Sequence, residues 1–193
     1  LYFIAVALRR NIMTNTEFES EYAQNPYPNL PPIIESLESE YLSNGVISSV
    51  AIAGHPIHPI IVVFPVAFLT AAAGSDLGYL LTRDFFWARA STWLIGLGLI
   101  AGILAALVGM SDFLKIPKVR KRTAGWAHMA FNVTALVLTA INFWFRLNSP
   151  EAFILPTGLL VSLLVATLLG VGGWYGGELT FRHKVGVIGS NNT

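Results

Sequence analysis

The stretch Gly54-His55-Pro56-Ile57-His58-Pro59 stands immediately before the first long apolar segment of the chain. Proline disfavours helical backbone in the residue before it, so we expect His55 and His58 to lie outside regular helix and the helix to begin at Pro59. In a polyproline II segment the two imidazoles would share a face about 9 Å apart, too far to hold one ion unless the chain turns. The stretch is therefore either a histidine site at the entry of the first helix or a rigid cap on that helix.

Composition assigns the chain to the membrane proteins. Hydrophobic residues make up 54% of the 193 residues and charged residues 12%, against about 45–50% and about 25% in ordinary soluble domains. There is no cysteine, which excludes disulfides, thiolate zinc sites, cysteine nucleophiles and iron–sulfur clusters held by this chain. Any metal would have to be held by histidine, by carboxylate or within a macrocycle.

Four apolar segments are each long enough to cross a bilayer, which takes about 20 residues. They cover approximately residues 59–81, 90–114, 124–147 and 153–179. The connections are short, so consecutive helices are expected to be antiparallel neighbours. The predicted fold is an all-α membrane protein, an up-down bundle of four transmembrane helices within residues 54–190 that follows an extended acidic arm.

Basic residues are concentrated on one side of the predicted bundle, in the loop after the second span and at the end of the fourth. They are Lys115, Lys118, Arg120, Lys121, Arg122, Arg182 and Lys184. The opposite side has only Arg83, Arg89 and Arg146. By the positive-inside rule, the basic side and both termini face the cytoplasm. Lipid headgroups or nucleic acid would also suit these residues, but a topology signal is the commoner explanation, and we expect no nucleic-acid partner.

Residues 1–53 are predicted to form the extended N-terminal arm. Between residues 13 and 45 the chain is acidic and proline-rich, a composition that cannot bury enough apolar surface to fold alone. The arm is either a disordered tail or a segment that docks on a partner through its tyrosines and isoleucines. Residues 1–12 precede Met13 and are expected to be an upstream extension or a product of processing.

Every histidine of the chain falls on the basic side of the predicted bundle. They are His55, His58, His128 and His183. Asp112 and Glu178, which close the second and fourth spans, lie at the same level. Ionisable groups at membrane depth are costly and usually face the bundle interior, so this cluster indicates a functional site. Asn132 is four residues after His128, where its amide would orient the imidazole or bridge to another helix.

A faint repeat relates the first two spans to the last two. Each odd span opens with a histidine and each even span closes with an acid after glycine, which suggests two halves around a pseudo-twofold axis with a site between them. The frequent glycines of the second and fourth spans either allow tight packing or leave room for a flat macrocycle. Asp76 belongs to the opposite side of the bundle, where we expect it to cap a helix or to pair with Arg83 or Arg89.

Three motifs together resemble an uncharacterised bacterial family of four-span membrane proteins, a domain of unknown function. They are GHPIHP at 54–59, GWAH at 125–128 with Asn132, and GGELTFRHKVGV at 176–187. The arm is similar in style to cyanobacterial members, which implies a bacterial inner or thylakoid membrane. The resemblance implies a four-span fold and the importance of five residues, namely His55, His58, His128, Glu178 and His183. Some relatives are joined to Rieske iron–sulfur domains, which implies redox work and a Rieske-type partner.

The leading functional hypothesis is a membrane redox protein that holds a b-type haem near the cytoplasmic face. Two neutral imidazoles from facing helices can ligate one iron axially without cysteine. We predict His58 and His128 as the ligands of the haem, or alternatively of a non-haem metal. The residues expected around them, as further cofactor contacts or as supports for the ligands, are His55, His183, Asn132, Glu178, Asp112 and Trp126.

The alternative hypothesis is an accessory subunit of a larger photosynthetic or respiratory complex that binds no cofactor. Its contacts would be the arm and the glycine-rich helix faces, and its histidine cluster would be structural. A transporter or proton path through Asp76, Asn142 and Asp112 is disfavoured, because no polar line crosses the midplane. The chain has no nucleophile–base motif and no phosphate-binding glycine loop, so an electron carrier or a subunit is favoured over a stand-alone enzyme.

Overall fold

The computed structural model of the protein describes residues 45–147 and 150–187. The predicted arm up to residue 44, including residues 1–12, lies outside this part of the chain. A two-stranded antiparallel sheet, Ala51–Ile52 with His55–Pro56, comes first. The helical elements follow in the order Ile57–Ile61, Val63–Thr82, Phe85–Lys115, Pro117–Arg120, Thr123–Arg146, Pro150–Phe153, Ile154–Gly158, Leu159–Gly177 and Glu178–Arg182.

These helices make up four spans that are long and apolar enough to cross a membrane. They are the first span Ile57–Thr82, the second Phe85–Lys115, the third Thr123–Arg146 and the fourth Pro150–Arg182. The predicted spans are confirmed, with ends that move by at most five residues. The largest change is at the start of the second span, where the Asp84 side chain accepts a hydrogen bond from the Phe86 amide and caps the helix.

The four spans form a bundle in which consecutive spans are neighbours. The most extensive contacts are those between the first and second spans and between the third and fourth spans. These two halves are joined by smaller contacts of the first span with the fourth and of the second span with the third. The first and third spans therefore face each other across the diagonal of the bundle. Leu69, Ala135, Val165 and Leu169 form an apolar core between the spans.

Large apolar side chains cover the outside of the bundle. Examples are Trp93, Leu107, Val137 and Leu160, all of which are exposed. Such a surface is unfavourable in water and matches the hydrocarbon interior of a bilayer, in which helices satisfy their own backbone groups. Composition, span length and this outer surface agree that the chain is an integral membrane protein.

The entry to the first span differs from the prediction. Ala53 and Gly54 have φ of 49° and 80° and close a tight hairpin, in which Ile52 is opposite His55. Helix begins at Ile57 rather than Pro59, so the expectation that His58 stays outside helix is wrong. Proline is tolerated there, because amides in the first helical turn have no intrahelical acceptor.

The last part of the predicted arm is attached to the bundle. The Val46 amide donates to the Lys184 carbonyl at 2.9 Å, and the Gly186 amide donates to the Val46 carbonyl at 2.7 Å. The Asp112 carboxylate accepts hydrogen bonds from the Ser48 hydroxyl at 2.7 Å and the Ser49 amide at 2.6 Å. Residues 45–53 therefore belong structurally to the folded domain.

Candidate functional site

His58 lies in the first turn of the first span and is held against the second. Its Nδ1 is 3.0 Å from the backbone oxygen of Ala105, and the ring is half-buried. One turn further along the second span, Gly109 makes room for the ring: a Cβ at this position would lie 2.7 Å from Cε1 of His58. Glycine is therefore required where the imidazole crosses the second span.

His128 repeats this arrangement in the other half of the bundle. Its Nδ1 is 2.8 Å from the backbone oxygen of Gly172 on the fourth span, and the ring is half-buried. Four residues after Gly172, Gly176 makes room for the ring, since a Cβ there would lie 2.9 Å from Cε1 of His128. Both histidines thus bond to a carbonyl of the following span and pack on the glycine four residues later, which is the pseudo-twofold relation predicted from the repeat.

The two imidazoles meet across the diagonal of the bundle. Their ring centres are 6.0 Å apart and their planes are inclined by 85°. A carbonyl oxygen can only accept a hydrogen bond, so Nδ1 of each ring carries the proton when the imidazole is neutral. The lone pair is then on Nε2, for which the described residues provide no hydrogen-bond partner. This tautomer is the one in which Nε2 binds metals.

Asn132 is the predicted supporting residue that lies beside the pair. Its Nδ2 donates to the backbone oxygen of His128 at 2.7 Å and lies 3.3 Å from Nδ1 of the same residue. Since Nδ1 of His128 donates its hydrogen to the Gly172 carbonyl, it cannot accept one from Asn132. The hydrogen bond that Asn132 makes is therefore the one to the backbone carbonyl of His128. The amide also fills the space above Gly172, where a Cβ would be 2.6 Å from Nδ2. Asn132 therefore fixes the turn of helix that carries His128.

The other predicted site residues have partners away from the pair. His55 is exposed, and its Nδ1 donates to the Ala53 carbonyl at 2.9 Å. The Trp126 indole donates to the Arg120 carbonyl at 3.0 Å and so links the third span to the basic loop before it. Asp112 accepts hydrogen bonds from Ser48 and Ser49. Glu178 forms a salt bridge with Arg182 at 3.0 Å. His183 is fully buried just after the fourth span.

At five glycines of the second and fourth spans, packing within the chain is a better explanation than space for a macrocycle. A Cβ on Gly98 would lie 2.5 Å from Cδ2 of Leu69, and one on Gly102 would lie 2.5 Å from Cδ2 of Leu136. Gly109, Gly172 and Gly176 are covered in the same way by His58, Asn132 and His128. Side chains of this chain fill these five positions.

Gly109→Ala is expected to destabilise the protein by about 1–3 kcal/mol, because the new methyl group displaces a ring held by a hydrogen bond. The matched control is Gly74→Ala in the first span, where a Cβ meets nothing within 4 Å. That variant should be neutral or up to about 1 kcal/mol more stable, since alanine favours helix. Reversible unfolding in mixed micelles measures both, and equal stabilities would contradict this account of Gly109.

A second polar layer, which sequence reasoning assigned wrongly, lies toward the other side of the bundle. Asp76 of the first span pairs with Arg146 of the third, with Nη1 2.6 Å from Oδ1 and Nη2 2.7 Å from Oδ2, and both side chains are fully buried. Asp76 does not pair with Arg83 or Arg89, the nearby basic residues proposed from the sequence. Arg83 and Arg89 lie instead near the rings of Tyr79 and Phe85, and the diagonal brings Arg146 to Asp76 from 70 residues away.

Neighbouring side chains complete this ion pair. Ser91 donates to Asp76 Oδ1 at 2.5 Å and accepts from Arg146 Nη1 at 2.8 Å. Arg146 Nε donates to Asn142 Oδ1 at 2.8 Å, and Nη2 is 3.3 Å from Ser162 Oγ. A buried charge pair is tolerated when its remaining donors and acceptors are satisfied, and all three guanidinium nitrogens have acceptors here. The first and third spans are thus bridged by two imidazoles on one side and by an ion pair on the other.

These features define a four-helix integral membrane protein with a histidine pair and a buried ion pair in its interior. A family model described as "Predicted membrane protein (DUF2231)" matches residues 54–189. The chain belongs to this family of predicted membrane proteins, as its motifs had implied. No curated protein and no protein of solved structure matches the chain.

Proposed function

We propose that the protein is a membrane redox protein that binds b-type haem through His58 and His128. The observation that carries the proposal is the pair of imidazoles, which face each other across the bundle with ring centres 6.0 Å apart. Each has its Nδ1 bonded to a backbone carbonyl and its Nε2 left for a ligand. Hydrogen bonds of this kind orient a ligating histidine and raise its basicity.

The separation of the rings suits two ligands of one ion. A histidine nitrogen binds a transition metal at about 2.0 Å, so the ring centre lies about 3 Å from the ion, and two opposed rings have centres about 6 Å apart. Two protein ligands suit an ion whose other positions are filled by a macrocycle, which favours haem over a structural zinc ion.

The placement of the pair favours electron exchange on one side of the membrane. When bound, haem supplies one-electron chemistry. Asp76 is 18 residues after His58, about 27 Å along the helix, and the described side chains at that level form an ion pair rather than a second pair of histidines. Electrons would enter and leave on the side of the basic loop, which the positive-inside rule assigns to the cytoplasm. A Rieske-type redox partner would dock on that side.

The test is a visible absorption spectrum of the detergent-purified chain, oxidised and then reduced with dithionite, with iron, copper and zinc measured on the same sample. A Soret band and sharp reduced bands, with about one iron per chain, are the expected result. Stoichiometric copper or zinc without these bands would replace haem by a non-haem metal at the same pair. A featureless spectrum from metal-free protein that does not take up added haem would end the proposal.

A second candidate is an accessory subunit of a larger membrane complex. The acids of the predicted cluster favour this candidate, because their partners belong to the chain itself. Asp112 binds Ser48 and Ser49, and Glu178 pairs with Arg182. These contacts are structural. Gly170 and Gly173 of the fourth span are exposed and a Cβ there would meet nothing within 4 Å, so this helix face is open to a partner. Purification at fixed stoichiometry with a large complex, with no cofactor on this chain, would favour this candidate over the redox protein.

A further inference from the structure

A small cavity lies beside the buried ion pair, in the centre of the bundle. Its volume is 10 Å³, and three polar side chains line it together with apolar ones from the first, second and fourth spans. The polar residues are Thr139 and Asn142 of the third span and Ser162 of the fourth, each at most 3% exposed. A cavity of about 10–15 Å³ accommodates one water molecule when polar partners are present.

The hydrogen bonds around the cavity leave one donor without an acceptor among the described residues. Ser162 Oγ is 3.0 Å from Asn142 Nδ2 and 3.3 Å from Arg146 Nη2, and both of these nitrogens are donors. A hydroxyl has one hydrogen and accepts two bonds, so the Ser162 oxygen is saturated as an acceptor while its hydrogen remains to be donated. Ser162 is 3% exposed, and an unmade bond at this depth would be costly.

Acceptors for a bridging molecule are also present among the residues that line the cavity. The Thr139 hydroxyl donates to the Ala135 carbonyl at 2.7 Å, which leaves its lone pairs unused. Asn142 Oδ1 accepts from Arg146 Nε and has a second lone pair. A molecule that accepts one hydrogen bond and donates two would therefore satisfy every group that faces the cavity.

We propose that this cavity is the binding site of one structural water molecule. The water accepts the Ser162 hydroxyl hydrogen and donates to Thr139 and Asn142. It completes the polar layer around Asp76 and Arg146, so Ser162 and Asn142 stay in place to hold the guanidinium. This site is independent of the haem proposal, because it lies in the other polar layer of the bundle and involves neither histidine.

Thr139→Val tests the water site, since valine has the shape of threonine but cannot accept a hydrogen bond. The thermal midpoint in detergent is expected to fall by about 4 °C, as the water loses a partner and the polar layer becomes incomplete. The control is Thr134→Val in the same span. That hydroxyl makes the same bond to the carbonyl four residues earlier, Ala130 at 2.8 Å, but is exposed on the outside. The midpoint of this control should change little.

A density map that resolves ordered waters provides the second readout. A peak within hydrogen-bonding distance of Ser162 Oγ and Thr139 Oγ1 is expected in the wild-type protein, and its loss is expected in Thr139→Val. The proposal is overturned if the two valine variants have equal midpoints, or if such a map has no peak in the cavity. A dry cavity would make Thr139→Val neutral or stabilising, because the lost hydroxyl bonds only to its own helix.

Discussion

Asp76→Asn is expected to destabilise the protein by about 3–5 kcal/mol, because it leaves the Arg146 guanidinium buried without its counter-ion. The change is nearly isosteric, so the loss would arise from charge rather than from volume. Both side chains are fully buried, and the pair joins the first span to the third. The free energy of unfolding, measured by reversible denaturation in mixed micelles, provides the test.

The control is Asp84→Asn on the same side of the bundle. Asp84 is exposed and caps the second span, and asparagine caps a helix about as well as aspartate. Neutralising both partners, in Asp76→Asn with Arg146→Gln, should recover much of the stability, since no unpaired charge then remains buried. Loss of equal size in Asp76→Asn and Asp84→Asn would show that the ion pair does not hold the spans together.

His58→Ala and His128→Ala should each abolish stoichiometric haem binding, because either change removes one of two axial ligands. The control is His55→Ala, in the same entry segment but exposed and directed to the Ala53 carbonyl. It should leave the reduced spectrum unchanged. The measurement is haem per chain together with the reduced absorption bands of the purified variants.

A measurement of stability distinguishes a histidine variant that has lost a haem ligand from one that no longer folds. Each imidazole also makes a hydrogen bond between spans, to Ala105 or to Gly172, so the alanine variants should unfold somewhat more easily. The thermal midpoint of the metal-free protein measures this part. Haem that remains bound at full stoichiometry in His128→Ala would contradict the assignment of ligands, whatever the midpoint does.

Sequence reasoning located the histidine pair but missed the ion pair. His58 and His128 were recognised because histidine at the start of an apolar span is conspicuous and the faint repeat placed both in equivalent positions. The same repeat contained the missing signal, since His58 and His128 are 70 residues apart and so are Asp76 and Arg146. Arg146 lies at the end of the predicted third span and was counted only among the basic residues of that side, so no partner was sought for it.

Local rules also failed at the entry to the first span. The two prolines predicted an extended segment, but Ala53 and Gly54 both adopt positive φ, close a hairpin and allow helix to begin at Ile57. Proline restricts the residue before it, yet the first helical turn needs no amide hydrogen from Pro59. The restriction is a bias in an isolated chain, and the contacts of His58 with the second span oppose it.

The class of the protein, its four spans and the side on which the histidines lie could all be predicted from the amino-acid sequence. These follow from the length and composition of the apolar segments, because a bilayer imposes one length and one surface chemistry on every helix. The diagonal placement of the first and third spans, and with it the contacts of His58 with His128 and of Asp76 with Arg146, became visible only in the folded bundle. Those contacts depend on how the four helices pack and rotate about their axes, which is set by many small contacts such as a glycine facing an imidazole, and no span contains that information alone.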